Sequence, residues 1–207
     1  MKHYPEKSAR LIVAAVAVVG TISGLILLRT SLQAAGAPPL VFIVTLPLGY
    51  LGLNWSVRGY FGALSRRRTA GLMLGSTTLL GALIGTSLAT IVAIIFLFVL
   101  TILDVIIVET NTIPGIVGRT SYDQVVSVVT LQLDKYVVGL GDFLAYSILS
   151  AAALRVLGFY GAIETALLIL FGVACTFEMT KRRGKAPGLL LPVGLGLIPL
   201  VLGLLRL

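Results

Sequence analysis

Runs of apolar residues separated by short polar or basic stretches organise the chain, at about 11–28, 39–54, 70–108, 136–154, 157–177 and 187–205. A membrane-crossing helix needs about 20 mostly apolar residues, and most of these runs are near that length. The third is too long for one crossing: at 1.5 Å per residue it makes about 58 Å of helix, about twice the hydrocarbon thickness. Gly and Thr cluster over Gly81–Thr86, so the pattern predicts a tight turn there and two helices, seven in all. The run 11–28 is long for a signal-peptide core, and 29–37 carries only a weak small-residue cleavage pattern, which predicts a retained first helix. The expected fold is all-α: one polytopic transmembrane bundle spanning 1–207, with N-terminal helices in 1–87 and a second set in 88–207.

The segment 109–135 interrupts that second set and is the longest polar stretch. It holds Pro114, Gly115 and Gly118, then Val125, Val126, Val128, Val129, Leu131 and Leu133 among Ser, Thr and Gln. The β-branched content and the alternation over 128–134 suit a short strand. Two readings stand: an interfacial linker, or a strand whose edge pairs with an extended peptide substrate.

Composition agrees with the pattern. The chain has 207 residues, 57% hydrophobic and only 12% charged, with a mean hydropathy of +1.05. Soluble domains carry about 25% charged residues, so this is an integral membrane protein and the lipid bilayer is its first partner. The net charge of +8 does not point to nucleic acid. Its basic residues form short clusters between apolar runs: Lys2, Lys7 and Arg10; Arg66–Arg68; Lys181–Arg183 and Lys185. With seven helices these clusters fall on one side with the 109–135 loop, opposite Arg29, Arg155 and Arg206. That asymmetry predicts a multi-pass protein of the cell membrane with a cytoplasmic N-terminus. Six helices would split the clusters between the two sides.

One histidine, His3, and one cysteine, Cys175, exclude several chemistries. A His-Glu-x-x-His zinc site needs two histidines, an intramembrane Ser–His dyad needs one inside the bundle, and a thiol–imidazole pair needs Cys and His together. Cys175 reads as a small packed residue. No metal or cofactor is called for.

Two aspartates lie inside apolar helices: Asp104, near the end of one, and Asp142, in the run Gly139-Leu140-Gly141-Asp142. A charged Asp at the bilayer centre costs about 2.5–3.5 kcal/mol on insertion scales. The two helices are antiparallel neighbours, which places both carboxylates at a similar depth, roughly 6–9 Å from the loop side at 1.5 Å per residue. Peptide hydrolysis without a metal or nucleophile needs one carboxylate to activate water and one carboxylic acid to protonate the carbonyl oxygen. Close carboxylates share a proton and titrate as a unit. Gly139 and Gly141 remove bulk beside Asp142, so that a substrate backbone or a neighbouring helix can approach. For Asp104 alone, snorkelling or capping explains the residue equally well. Pro187 and Pro192 open the last helix at the same depth. This is either an ordinary first-turn proline pattern or a loosening that frees backbone amides and carbonyls for a peptide.

An Asp at one helix end, Gly-Leu-Gly-Asp-Phe opening the next, then one further helix and a Pro-x-Leu start to the last helix resembles the presenilin and signal-peptide-peptidase family of intramembrane aspartyl proteases. The resemblance covers about 88–205. Gly139–Asp142 matches the family's Gly-x-Gly-Asp motif, Leu103-Asp104 looks like its Tyr-Asp helix end, and Pro187-Gly188-Leu189 looks like its Pro-Ala-Leu motif. Leu103 stands where the family has Tyr, and Gly188 where it has Ala. The family has nine helices, so this chain looks like a short microbial, archaeal-like member lacking two N-terminal ones. The resemblance implies catalytic Asp104 and Asp142, with Gly139, Leu140, Gly141, Pro187, Gly188 and Leu189 shaping the site. It also implies membrane-spanning or signal-peptide-like protein substrates and no cofactor. Tyr122-Asp123 is a second Tyr-Asp pair, set in the polar loop with no apolar run before it.

Two other functions fit the carboxylates. Prepilin-type leader peptidases also pair Gly-x-Gly-Asp with an upstream Asp, and Ile113-Pro114 after Asp104 is similar to their pattern. A proton-coupled transporter or channel would use the carboxylates as proton carriers. Glu164 reads as snorkelling, neighbour-binding or lining a water path. Tyr146 packs in lipid or core, or faces the aspartates. Trp55 and Tyr60 suit an aromatic belt.

Overall fold

A computed structural model describes residues 7–36, 38–61, 63, 65–110, 130–133 and 136–205. Its helices are α1 (Lys7–Ala34), α2 (Pro38–Tyr60), α3 (Arg66–Ser87), α4 (Thr90–Thr110), α5 (Leu140–Arg183) and α6 (Leu190–Leu205), with a hairpin of β1 (Thr130–Leu133) and β2 (Tyr136–Gly139) before α5. Four of the helices are long and apolar enough to cross a membrane: α1, α3, α4 and α5.

α5 is continuous in sequence but not in direction. Gly158 has φ 72° and ψ −167°, a backbone region essentially reserved for glycine, and it breaks the helix into two arms. Close approaches to α6 show how the arms run. Along the first arm, Asp142, Leu149 and Leu157 lie beside Gly188, Gly196 and Gly203 in turn; along the second, Ile169 meets Gly196 and Gly172 meets Pro192. The first arm is therefore parallel to α6 and the second antiparallel to it. Gly184, at φ 78°, closes the second arm and donates its N–H to the Thr180 carbonyl at 2.8 Å.

The same kind of contact orients the rest. Gly20 and Gly24 of α1 pack on Ser76 and Leu79 of α3, which makes α1 and α3 parallel, and Gly49 and Gly52 of α2 pack on Leu25 and Thr21 of α1, which makes them antiparallel. In a bilayer, lipid tails are as apolar as leucine, so helices associate through close packing at small residues rather than by the hydrophobic effect. α3 shows this most directly. A Cβ on Gly81 would stand 2.5 Å from the Leu144 carbonyl oxygen, and one on Gly85 would run into the Ile148 carbonyl oxygen. The expected turn at Gly81–Thr86 is thus corrected. Those glycines sit inside α3 against α5, and the turn falls at Leu88-Ala89, where Leu88 adopts extended angles (φ −75°, ψ 143°). The Arg155 guanidinium fastens that turn, donating to the Thr86 carbonyl at 2.9 Å and to Thr90 Oγ1 at 3.1 Å.

Two further expectations shift. Residues 136–139 are strand, not helix: β2 pairs antiparallel with β1 in the register Thr130↔Gly139 to Leu133↔Tyr136, so the strand expected from the alternation over 128–134 is present at 130–133. The last helix begins at Leu190, leaving Pro187 in a short non-helical strap before it. Pro114, Gly115, Gly118, Ile113-Pro114, Tyr122-Asp123 and Val125–Val129 lie outside the described residues.

The main core joins α4, α5 and α6 through Ala93, Leu97, Ile148, Leu149, Val193 and Leu200. A second cluster, Val13, Met73 and Leu140, joins α1, α3 and the start of α5. The outer face of α4 is apolar and exposed at Ile91, Ile95, Phe98, Ile102 and Leu103. Arg10, Arg67 and Arg68, the last turn of α5 with Lys181–Arg183, and Lys185 gather at the end of the bundle where α4 finishes and α5 begins; Arg29 and Arg155 lie toward the other end.

Candidate active site

Asp104 comes from the penultimate turn of α4 and Asp142 from the first turn of α5. The aliphatic run of α4 forms a helix with a buried stripe at Ala93, Leu97 and Thr101, and Asp104 continues that stripe one turn further on, half-buried. Asp142 sits where the positive end of the α5 dipole favours a negative charge, and its carboxylate lies back toward the N-cap, with Oδ2 3.6 Å from where a Cβ on Gly139 would stand. The hairpin delivers the chain to this point: β2 ends at Gly139, whose extended angles (φ −70°, ψ 140°) make it the N-cap of α5.

The strap Pro187–Leu189 touches both aspartates. The Leu189 N–H donates to Asp104 Oδ2 at 2.8 Å. Gly188 lies against Asp142. A Cβ there would stand 2.5 Å from Oδ2, 2.9 Å from Cγ and 3.0 Å from Oδ1, so the carboxylate occupies the volume that an alanine side chain would fill. The two carboxylates lie within Coulombic reach of each other. Asp104, Asp142, Gly139, Pro187, Gly188 and Leu189 are thus brought together.

The other expected residues divide. Gly141 adjoins Asp142 and is exposed, with nothing within 4 Å of where a Cβ would project. Leu140 does not face the site: it is buried against Val13 and Met73 and anchors the motif to α1 and α3. Pro187 is buried, and so is Pro192, whose backbone packs against Gly172 of α5. Leu103 is exposed on the apolar outer face of α4.

Sequence reasoning undervalued two residues. Tyr146 donates its hydroxyl to the Gly188 carbonyl at 2.8 Å and lies within Coulombic reach of both aspartates. Its position one helical turn after Asp142 was the available signal. Lys185 looks in the sequence like one more cytoplasmic-side charge. In the structure its Nζ donates to the Val108 carbonyl at 2.8 Å and the Glu109 carbonyl at 3.4 Å, placing a cation on the C-terminus of α4. Glu164 is exposed on the second arm of α5, and Trp55 and Tyr60 are exposed near the end of α2.

Among the described residues no cluster of three His, Cys, Asp or Glu could hold a metal ion. What the arrangement offers is two carboxylates on separate helices and one backbone strap that touches both. No protein-family model matches the chain, and neither a curated protein nor a solved structure matches it.

Proposed function

We propose that the chain is an intramembrane aspartyl protease, of the kind the presenilin and signal-peptide-peptidase resemblance implies. The observation that carries the proposal is the convergence of Asp104 and Asp142, from two different helices, on the single strap Pro187–Leu189. In this reading the bundle crosses the cell membrane seven times, with the arms of α5 as separate crossings. The basic end is cytoplasmic, and the aspartates lie toward it.

Hydrolysis then follows from the dyad. One carboxylate takes a proton from a water molecule as its oxygen adds to the substrate carbonyl carbon. The other, protonated, gives its proton to the carbonyl oxygen. The tetrahedral gem-diol collapses as a proton passes to the leaving nitrogen, the C–N bond breaks and the dyad regains its single shared proton. The β1–β2 hairpin beside the site supplies strand edge for an extended substrate segment, since a peptide bond inside a helix has its carbonyl bonded and its backbone shielded.

The test is cleavage of a tagged membrane-spanning peptide in liposomes by wild type, Asp104→Asn and Asp142→Asn. Each substitution should abolish cleavage, because neither amide can exchange protons with water as a carboxyl does. Full activity in either variant refutes the dyad. A cut outside the membrane-spanning stretch of the substrate would favour the leader-peptidase function. Proton flux across liposomes without cleavage would favour the transporter.

A further inference from the structure

The Gly188–Leu189 peptide unit is held from both sides. Its carbonyl accepts the Tyr146 hydroxyl from α5 at 2.8 Å, and its N–H donates to Asp104 Oδ2 on α4 at 2.8 Å. No peptide bond among the described residues is cis, so the two groups project in opposite directions across one rigid plane. Lys185, two residues before Pro187, also ties this segment to the last turn of α4.

We propose that Tyr146 is a positioning residue: through the Gly188–Leu189 peptide plane it sets the orientation of the amide that holds Asp104, and so fixes the α4 carboxylate relative to the α5 carboxylate. The chemistry is specific. A peptide plane held only at its N–H can swing about its flanking bonds. Held at both ends it cannot, and the amide direction is then dictated by Tyr146. The ring itself is kept in place by an edge contact with Phe143, with centroids 6.2 Å apart and planes at 70°, so the hydroxyl arrives on a fixed rod. Tyr146 is part-buried and sits on the same face of α5 as Asp142, so one helix supplies both a carboxylate and the group that orients the other carboxylate's donor. This role rests on the protease reading for its functional consequence but not for its geometry.

Tyr146→Phe removes the hydroxyl and keeps the ring. The first measurement is amide hydrogen exchange over 186–191, read by mass spectrometry on the full chain in detergent. Losing one hydrogen bond's net stabilisation should speed exchange at Leu189 about tenfold, with the melting midpoint within a few degrees of wild type. Unchanged exchange overturns the proposal, whatever the activity. The second measurement is cleavage kinetics in liposomes. With the dyad mispositioned and the substrate's apolar contacts intact, kcat should fall about tenfold while KM stays within about twofold. Faster exchange with unchanged kcat overturns the positioning role. A wild-type protein that cuts no substrate, yet shows the exchange effect, refutes the protease reading and leaves the peptide bridge standing. Tyr160→Phe makes the same chemical change at an exposed site, and both readouts should stay at wild-type values.

Discussion

Gly188→Ala is the sharpest single test of the site. Gly188 is not among the glycines with positive φ, so alanine fits the backbone and the only perturbation is the added methyl group. That Cβ would lie 2.5 Å from Asp142 Oδ2, 2.9 Å from Cγ and 3.0 Å from Oδ1. Comfortable heavy-atom contact begins at about 3.5 Å, so the strap or the carboxylate must retreat by about 1 Å. Retreat of the strap displaces the Leu189 amide that Asp104 accepts from; retreat of the carboxylate displaces Asp142 itself. Under the proposed protease function, either displacement misplaces the aspartate pair by a distance that costs about a hundredfold in rate, or about 2.7 kcal/mol of transition-state stabilisation. The assay is cleavage of a tagged transmembrane peptide in liposomes at matched protein density, with thermal melting as a fold control. Melting should change little, because Gly188 precedes α6 and is not part of its hydrogen-bond ladder. A Gly188→Ala variant that keeps more than half the wild-type cleavage rate would refute the claim that Asp142 and the strap share this space.

Other predictions separate the remaining glycines by mechanism. Gly141→Ala should leave melting unchanged, because nothing lies within 4 Å of its Cβ position, yet it should raise KM for a membrane-spanning substrate by narrowing the approach to Asp142. Gly158→Ala has equal room but the wrong backbone, at φ 72° and ψ −167°; it should destabilise the bundle by about 1–3 kcal/mol in detergent unfolding while leaving kcat per folded molecule unaltered. An unchanged unfolding midpoint would show that the arms of α5 can reverse by another route.

How much of this is legible along the chain depends on the range of the physics involved. Asp104 and Asp142 stand out in sequence because an uncompensated carboxylate in an apolar helix is costly wherever it sits. The strand at 130–133 is legible from alternation, a local property. Its partner at 136–139 is not, because Tyr136-Val137-Val138 continues an apolar run and reads equally well as the start of a helix. The glycines of α3 mislead for the opposite reason. Gly81 and Gly85 carry a strong turn signal, but their use is close approach to α5, and nothing nearby in sequence reveals a neighbour sixty residues away. Leu140 sits inside the motif and looks like part of the site, yet its side chain points to α1 and α3, because successive residues of a helix face different directions.

The sequence by itself determined that this is a membrane bundle, that its basic residues fall in clusters, and that two aspartates sit in apolar helices with glycines beside one of them. Each of these follows from transfer energies and periodicity, which act residue by residue. Only the tertiary structure decided that both carboxylates meet one strap, that Asp142 fills the space a Cβ at Gly188 would need, and that Tyr146 and Asp104 grip opposite ends of one peptide plane. These are contacts across 42 and 85 positions of chain, made by packing α4, α5 and α6 together. Packing depends on which surfaces fit, and composition does not encode that fit in any single stretch.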